Sequence, residues 1–276
     1  DHLREERGRY SRIRLWGSIG FIVAVLGTGA VLDVLPLNGL LWVCWGILAG
    51  ILALAVVLTD APTAPHPHDS LPVGDILRQP RVRALLAACF AMSAAHGALY
   101  VFLSIHLASH GYSKAEVGGL WSLGVLAEIV VFMLMTRLNR RYSLRALLLA
   151  SFAAAILRFL LIGWGVESLA VMVLAQLMHG LTCGAYHASA IAAINLWFPG
   201  RAQGRGQALY SSISFGAGGL LGGLISGWTW EGIGAGWTYT LASLFAVGGF
   251  WLVWRWVRGD VAVDAPVEAK NADPVR

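Results

Sequence analysis

The placement of basic residues constrains this chain more than any other feature. Hydropathy rises over eight stretches, at about residues 16–33, 39–59, 83–108, 114–136, 145–164, 168–192, 206–228 and 237–257. Each is near the ~20 residues that cross a ~30 Å hydrocarbon core as a helix. The segments outside these stretches alternate sharply. Eighteen of the twenty lysines and arginines fall on one side, from the Arg4–Arg14 run at the start to Arg258, Lys270 and Arg276 at the end. Lys114 stands alone on the other side, and Arg158 lies inside a span. A missed or false helix would scramble this pattern, so the alternation supports eight crossings. By the positive-inside rule both termini are expected in the cytoplasm.

Composition agrees. Hydrophobic residues make up 57% of the chain and charged ones 13%, about half the charged fraction of a soluble domain. The net charge of +5 therefore reads as loop topology and not as a nucleic-acid surface. Cys44, Cys89 and Cys183 are isolated in apolar stretches, without metal-ligand spacing, and read as small buried residues. Trp16, Trp164, Trp197, Trp228, Trp230 and Trp237 lie near span ends, where an interfacial belt is expected.

The chain opens at Asp1 with DHLREERGRYSRIR, a polar segment resembling a loop from inside a longer protein, so an N-terminal truncation is expected. Residues 1–15 read as a cytoplasmic loop, 16–59 as a helix pair, 60–82 as a cytoplasmic linker, 83–258 as six helices and 259–276 as a disordered tail. The linker APTAPHPHDSLPVGDILRQP carries prolines that forbid a continuous helix, and His66 and His68 in it read as solvated. A linker between helix groups suits a two-bundle transporter. Glycines crowd the first span, and Gly218/Gly222 and Gly219/Gly223 recur at four-residue spacing in the seventh, a pattern that lets helices approach closely or slide.

Against this apolar background the polar residues inside spans stand out. Glu128 sits roughly 12 Å from the nearer end of its span, too deep for a short side chain to snorkel. An intramembrane carboxylate marks a functional site unless it makes a structural polar contact. His179 is expected at similar depth, with Arg158 displaced outward by roughly 8 Å of helix rise, within reach of Glu128 directly or through His179 or water. Gln176, His96 and Tyr100 are further polar groups within spans. His106 and His187 are expected near the membrane interface. Trp121, Gly124 and Glu128 share one helical face, where Trp121 would stack a planar solute and Gly124 would leave it room. In this reading Glu128 exchanges a proton, His179 relays it, and Arg158 grips the Glu128 carboxylate or a solute carboxylate. The remaining alternatives are a structural Arg158–Glu128 ion pair, a core role for His96 and plain packing for Trp121.

Three stretches carry a family resemblance: RYSRIRLWGSIGFI at residues 9–22, GYSKAEVGGLWSLGVLAEIVVF at 111–132, and the span around Arg158. They resemble the phenylpropionate permease group of the major facilitator superfamily, whose relatives include nucleoside:proton and oligosaccharide:proton symporters. The resemblance covers about residues 9–258. It implies an all-α membrane protein with twelve spans in two six-helix bundles, the eight spans here corresponding to helices 5–12, with helices 1–4 lacking. Residues 16–59 would close the first bundle and 83–258 would be the second. It also implies alternating access, with Glu128, Arg158 and His179 matching by position the proton-coupling residues of the sugar symporters.

The reading that follows is a proton-coupled symporter of small organic solutes, with aromatic carboxylates such as phenylpropionate foremost. Glu128 and His179 would couple the proton, and Arg158, Trp121, Gly124, His96, Tyr100 and Gln176 would bind the solute. No cofactor, metal or nucleic-acid partner is expected. The partners are the solute, the proton and the lipid bilayer of the cell inner membrane, and the protein is expected to be a monomer. A nucleoside or sugar symporter is the alternative within transport. An intramembrane enzyme built on His179, His187 and Glu128, or a remnant that transports nothing, are the alternatives outside it. The enzyme lacks a zinc-hydrolase or nucleophile motif.

Overall fold

In the computed structural model the described residues are 39–57, 72–200 and 202–257, with Gly17, Gly20, Val23, Ala24 and Gly27. The chain is all-α over them. The helices are α1 (Gly39–Val57), α2 (Val73–Arg78), α3 (Pro80–Ser109), α4 (Lys114–Arg141), α5 (Leu144–Trp164), α6 (Leu169–Trp197), α7 (Ala202–Ile233) and α8 (Ala235–Trp256). Helices α3 to α8 are each long and apolar enough to cross a membrane, and α1 is a shorter apolar helix. The basic N-terminal loop, most of the first expected span, His66 and His68 with most of the linker, and the C-terminal tail lie outside the described residues.

Local signals set the helix ends. Gln79 is extended, and Pro80 takes the first position of α3, where its missing N–H costs nothing. The expected linker boundary at residue 82 therefore falls inside α3. The residues before it already form α2, and Ile76 is fully buried. Ser113 caps α4 in a reciprocal box. Its Oγ accepts from Glu116 N at 3.2 Å while Glu116 Oε2 accepts from Ser113 N at 2.8 Å. Ser143 caps α5 by accepting from Ala146 N at 3.2 Å. Gly234, at φ +86°, makes the sharp turn from α7 into α8.

The core sits among α3, α5, α6, α7 and α8, and small residues bring the axes together. A Cβ on Gly97 of α3 would strike the Gly222 backbone of α7, and one on Gly222 would strike Ala94. Gly218 meets the Phe90 backbone in the same row, whereas Gly219 and Gly223 have only ordinary contacts. One of the two glycine pairs read from sequence thus forms the crossing, and the other flanks it. On the other side, Gly249 of α8 faces Phe152 of α5, and Gly163 of α5 faces Tyr239.

Helix α4 is anchored mainly on α6. Gly180 meets the Ala127 carbonyl, and a Cβ on Gly184 would lie 3.3 Å from the Glu128 carbonyl. Its far side presents Leu126, Val130 and Met133 outward, an apolar surface that only lipid or further apolar helices can cover. Of the tryptophans expected at interfaces, Trp164, Trp228 and Trp237 are exposed. Trp197 is buried instead, with the Arg81 guanidinium 5.2 Å above its ring. Trp230 stacks on Phe102 at 4.4 Å.

Helices α6 and α7 are not continuous α-helices. Gly180–Ala185 and Ser212–Gly218 are wound as π-helix. Each segment is rich in glycine and small residues, which accept the wider turn and expose backbone. These two segments position the site.

Candidate functional site

A cavity of about 200 Å³ opens between α3, α4, α6 and α7. Helix α3 contributes Met92, Ser93, His96 and Tyr100, and α4 contributes Glu128. The π-segment of α6 and the residues just after it supply Thr182, Cys183, Tyr186 and His187. Ser214 and Phe215 come from the π-segment of α7. Irregular turns are tolerated at membrane depth where they line a cavity, and transporter sites recur at such broken helices.

Helix α4 has 28 residues, a length of about 42 Å, and Glu128 lies at its midpoint. Its side chain is 24% exposed, and its Oε2 is 3.8 Å from His179 Nε2. The similar depth expected for these two residues is what the structure has. At 3.8 Å the contact is an ion pair only when the imidazole is protonated, and a shift of well under 1 Å makes it a hydrogen bond. His179 is itself nearly covered, at 5% exposure.

Arg158 lies behind the cavity wall. It has no exposed surface, and its guanidinium is held by neutral oxygens. Nε donates to Ala175 O at 2.8 Å, one terminal nitrogen to Thr182 Oγ1 at 3.0 Å and the other to Gln176 Oε1 at 3.0 Å. The fork spans the last α-helical turn of α6 and the π-segment after it, and so pins the place where the helix changes winding. Sequence reasoning expected Arg158 and Gln176 to face the solute. In this conformation they bond to each other and neither lines the cavity.

Gly124 is also packed rather than open. A Cβ there would lie 3.1 Å from Gln176 Oε1 and 3.4 Å from His179 Cδ2. Its small size brings α4 onto α6 and leaves no room for a ring. Trp121 stacks on Tyr100 at 6.2 Å and donates from Nε1 to Ser104 Oγ at 3.0 Å, which fixes α4 against α3 beside the cavity.

The remaining expected residues, His96 and Tyr100, do line the cavity. His96 Nδ1 donates to Met92 O at 2.8 Å, which turns Nε2 toward Cys183 Sγ at 3.6 Å. Tyr100 Oη approaches the same sulfur at 3.9 Å, and His179 Nδ1 is 3.6 Å from it. Cys183 is thus a junction and not an inert buried residue, and Cys44, also read as buried, is exposed.

His106 lies in the last turn of α3 and is buried, with Nε2 donating to Ile162 O at 3.1 Å. His187 reaches the cavity wall, with Nδ1 2.9 Å from Tyr210 Oη. Ser214 was not foreseen. Its hydroxyl is buried with no hydrogen-bond partner among the described residues, and the residue lines the cavity.

A family model described as "MFS_1 like family" matches residues 1–241. The chain is 30% identical over 247 residues to a probable 3-phenylpropionic acid transporter of Escherichia coli (strain K12), covering 86% of this chain and 64% of that protein. It is 26% identical over 249 residues to a maltose permease of Geobacillus stearothermophilus, covering 90% and 63%. The chain thus spans a little under two thirds of the length of these curated relatives.

Proposed function

Since this chain belongs to the MFS_1 like family, a family of transporters and not of enzymes, we propose that the protein carrying these helices is a proton-coupled symporter. Its solutes are small organic molecules, with aromatic carboxylates such as phenylpropionate foremost, and it works by alternating access. In this reading the eight spans correspond to helices 5–12, with α3–α8 as the second bundle. The membrane is the bacterial inner membrane, and both ends of the chain are cytoplasmic.

The observation that carries the reading is the Glu128 carboxylate at the middle of a helix of membrane-crossing length, partly open to a cavity, with an imidazole 3.8 Å away. A charge at that depth is costly and is retained where ions or protons move. In the cycle this supports, Glu128 carries one proton inward with each solute and exchanges it with water when the cavity is open, with His179, 3.8 Å away, as the relay. Protonation and solute occupancy then rise together, which is the thermodynamic content of symport.

His96, Tyr100 and Ser214 present a ring edge, a phenol and a hydroxyl to the solute, and Phe215 gives an apolar wall. Arg158 acts as a positioning residue that fixes Thr182 and Gln176. The solute class rests on the phenylpropionate-transporter relative. The maltose permease relative keeps a sugar as the second reading.

The test is uptake of labelled phenylpropionate and maltose into membrane vesicles under an imposed inward proton gradient. Uphill uptake of one solute is expected, abolished in Glu128→Gln, with solute exchange at equal pH partly retained. Uphill uptake unchanged by Glu128→Gln would remove the coupling role.

A further inference from the structure

His96 Nε2, His179 Nδ1 and Cys183 Sγ converge on one point at the inner wall of the cavity, and the three ligand atoms lie within 4.8 Å of one another. We propose that they form a binding site for a divalent transition ion of zinc's type, with its fourth position open to the cavity.

The distances fit. With metal–sulfur near 2.3 Å and metal–nitrogen near 2.05 Å, tetrahedral geometry puts sulfur and nitrogen about 3.6 Å apart. The Cys183 sulfur is 3.6 Å from His96 Nε2 and 3.6 Å from His179 Nδ1. The two imidazole nitrogens, within 4.8 Å of each other, need to approach to about 3.3 Å to complete the tetrahedron.

The surroundings fit as well. A metal-bound histidine needs its second nitrogen to donate to an oxygen, so that the ligating nitrogen keeps its lone pair. His96 Nδ1 donates to Met92 O at 2.8 Å. His179 Nε2 faces Glu128 Oε2 at 3.8 Å, the carboxylate–histidine arrangement of second-shell partners. One thiolate with two imidazoles suits zinc and cobalt over magnesium or calcium, which take oxygen ligands. Binding releases the Cys183 thiol proton to water in the cavity. The open position faces Tyr100 and the cavity, where a solute carboxylate or a water can complete the tetrahedron.

Sequence spacing hides this set because α3 supplies one ligand and α6 the other two. His179 and Cys183 are brought to one side by the four-residue spacing at the entry to the π-segment. The site does not require the transport reading. A bound ion would occupy His179 Nδ1 and hold the ring's proton on Nε2, which faces Glu128, so it would inhibit proton exchange if that reading holds.

The experiment is cobalt titration of the purified, metal-stripped protein in detergent, followed by absorption. One Co²⁺ per chain is expected, with a thiolate-to-cobalt band in the near ultraviolet and the intense visible bands of a tetrahedral ion, both displaced by Zn²⁺. Cys183→Ser should remove the near-ultraviolet band while circular dichroism stays unchanged. Glu128→Gln should weaken affinity by roughly 10–100-fold. Cys44→Ser and Cys89→Ser should leave the spectrum as it is. A pale, octahedral spectrum for the folded wild type, or a near-ultraviolet band that survives Cys183→Ser, would overturn the proposal. The readout needs no solute, so cobalt binding with no transport would keep the site and remove the symport reading, and transport without cobalt binding would do the reverse.

Discussion

Replacing Gly97 with alanine tests whether the α3–α7 crossing is held by backbone contact. A methyl there points at the carbonyl carbon and nitrogen of Gly222 and Gly223, which have no flexible side chain to move aside. The helices must separate or the methyl must distort the turn. Overpacking of this kind costs about 1–3 kcal/mol. For a chain of this size each kcal/mol lowers the unfolding midpoint by roughly 2–4 °C, so a drop on the order of 2–12 °C is expected. Gly223→Ala is the control, because its Cβ would meet only Val101 Cγ2 at 4.0 Å. That change should stay within about 0.5 kcal/mol.

The assay is the apparent midpoint of thermal unfolding in detergent for wild type, Gly97→Ala, Gly223→Ala and Gly222→Ala. The double variant Gly97→Ala/Gly222→Ala should cost less than the sum, because one separation of the axes relieves both clashes. The same crossing separates Met92 and His96 from Ser214 and Phe215 across the cavity, so Gly97→Ala should also impair solute uptake. Equal midpoints for Gly97→Ala and Gly223→Ala would refute the reasoning.

Arg158→Lys keeps the charge but loses the planar fork that serves three acceptors. It should leave at least one oxygen unsatisfied at about 1–3 kcal/mol, lowering the unfolding midpoint and reducing uptake of carboxylate and neutral solutes alike. A loss confined to carboxylates would show that Arg158 touches solute. Gly234→Ala places a side chain at φ +86°, ψ 171°, a region essentially reserved for glycine, and should cost about 1–3 kcal/mol by thermal unfolding. Gly232→Ala, in open space within a helix, should be neutral or slightly stabilising, and equal effects of the two would contradict the turn assigned to Gly234.

How much of this was legible in the sequence varies by level. Six of the spans read from hydropathy are α3 to α8, because a 30 Å apolar solvent dictates helix length and basic loops dictate where helices stop. The shared depth of Glu128 and His179 was also legible, since rise per residue is nearly constant. The facing of side chains was not. Arg158, Gln176 and Gly124 were expected at the solute, yet Gly124 and Gln176 close the α4–α6 interface and Arg158 ties α5 to α6. Helices apolar on every side give no periodic signal that separates a cavity face from a packing face.

Cys183 and Ser214 were missed for a related reason. Both lie in π-wound segments, whose widened turns shift the angular position of each later residue, so a 100° helical projection misplaces them. The glycines at 180, 184, 216 and 218 were the available signal. Of these, sequence spacing singles out Gly218 alone, as a close-packing residue, which holds; Gly180 and Gly184 also pack closely, on α4, and nothing in their spacing marks the change of winding. The His96–His179–Cys183 cluster needed the fold itself, because only the packing of α3 on α6 brings His96 to the other two.

The measurement that bears most directly on the central claim is the external pH of lightly buffered, de-energised cells expressing the protein, recorded as phenylpropionate, a nucleoside and a disaccharide are added in turn. The account predicts prompt alkalinisation with one of them, phenylpropionate foremost, that disappears in Glu128→Gln while Glu128→Asp keeps part of it. Solute entry with no pH change, or an undiminished pH change in Glu128→Gln with expression matched, would contradict it.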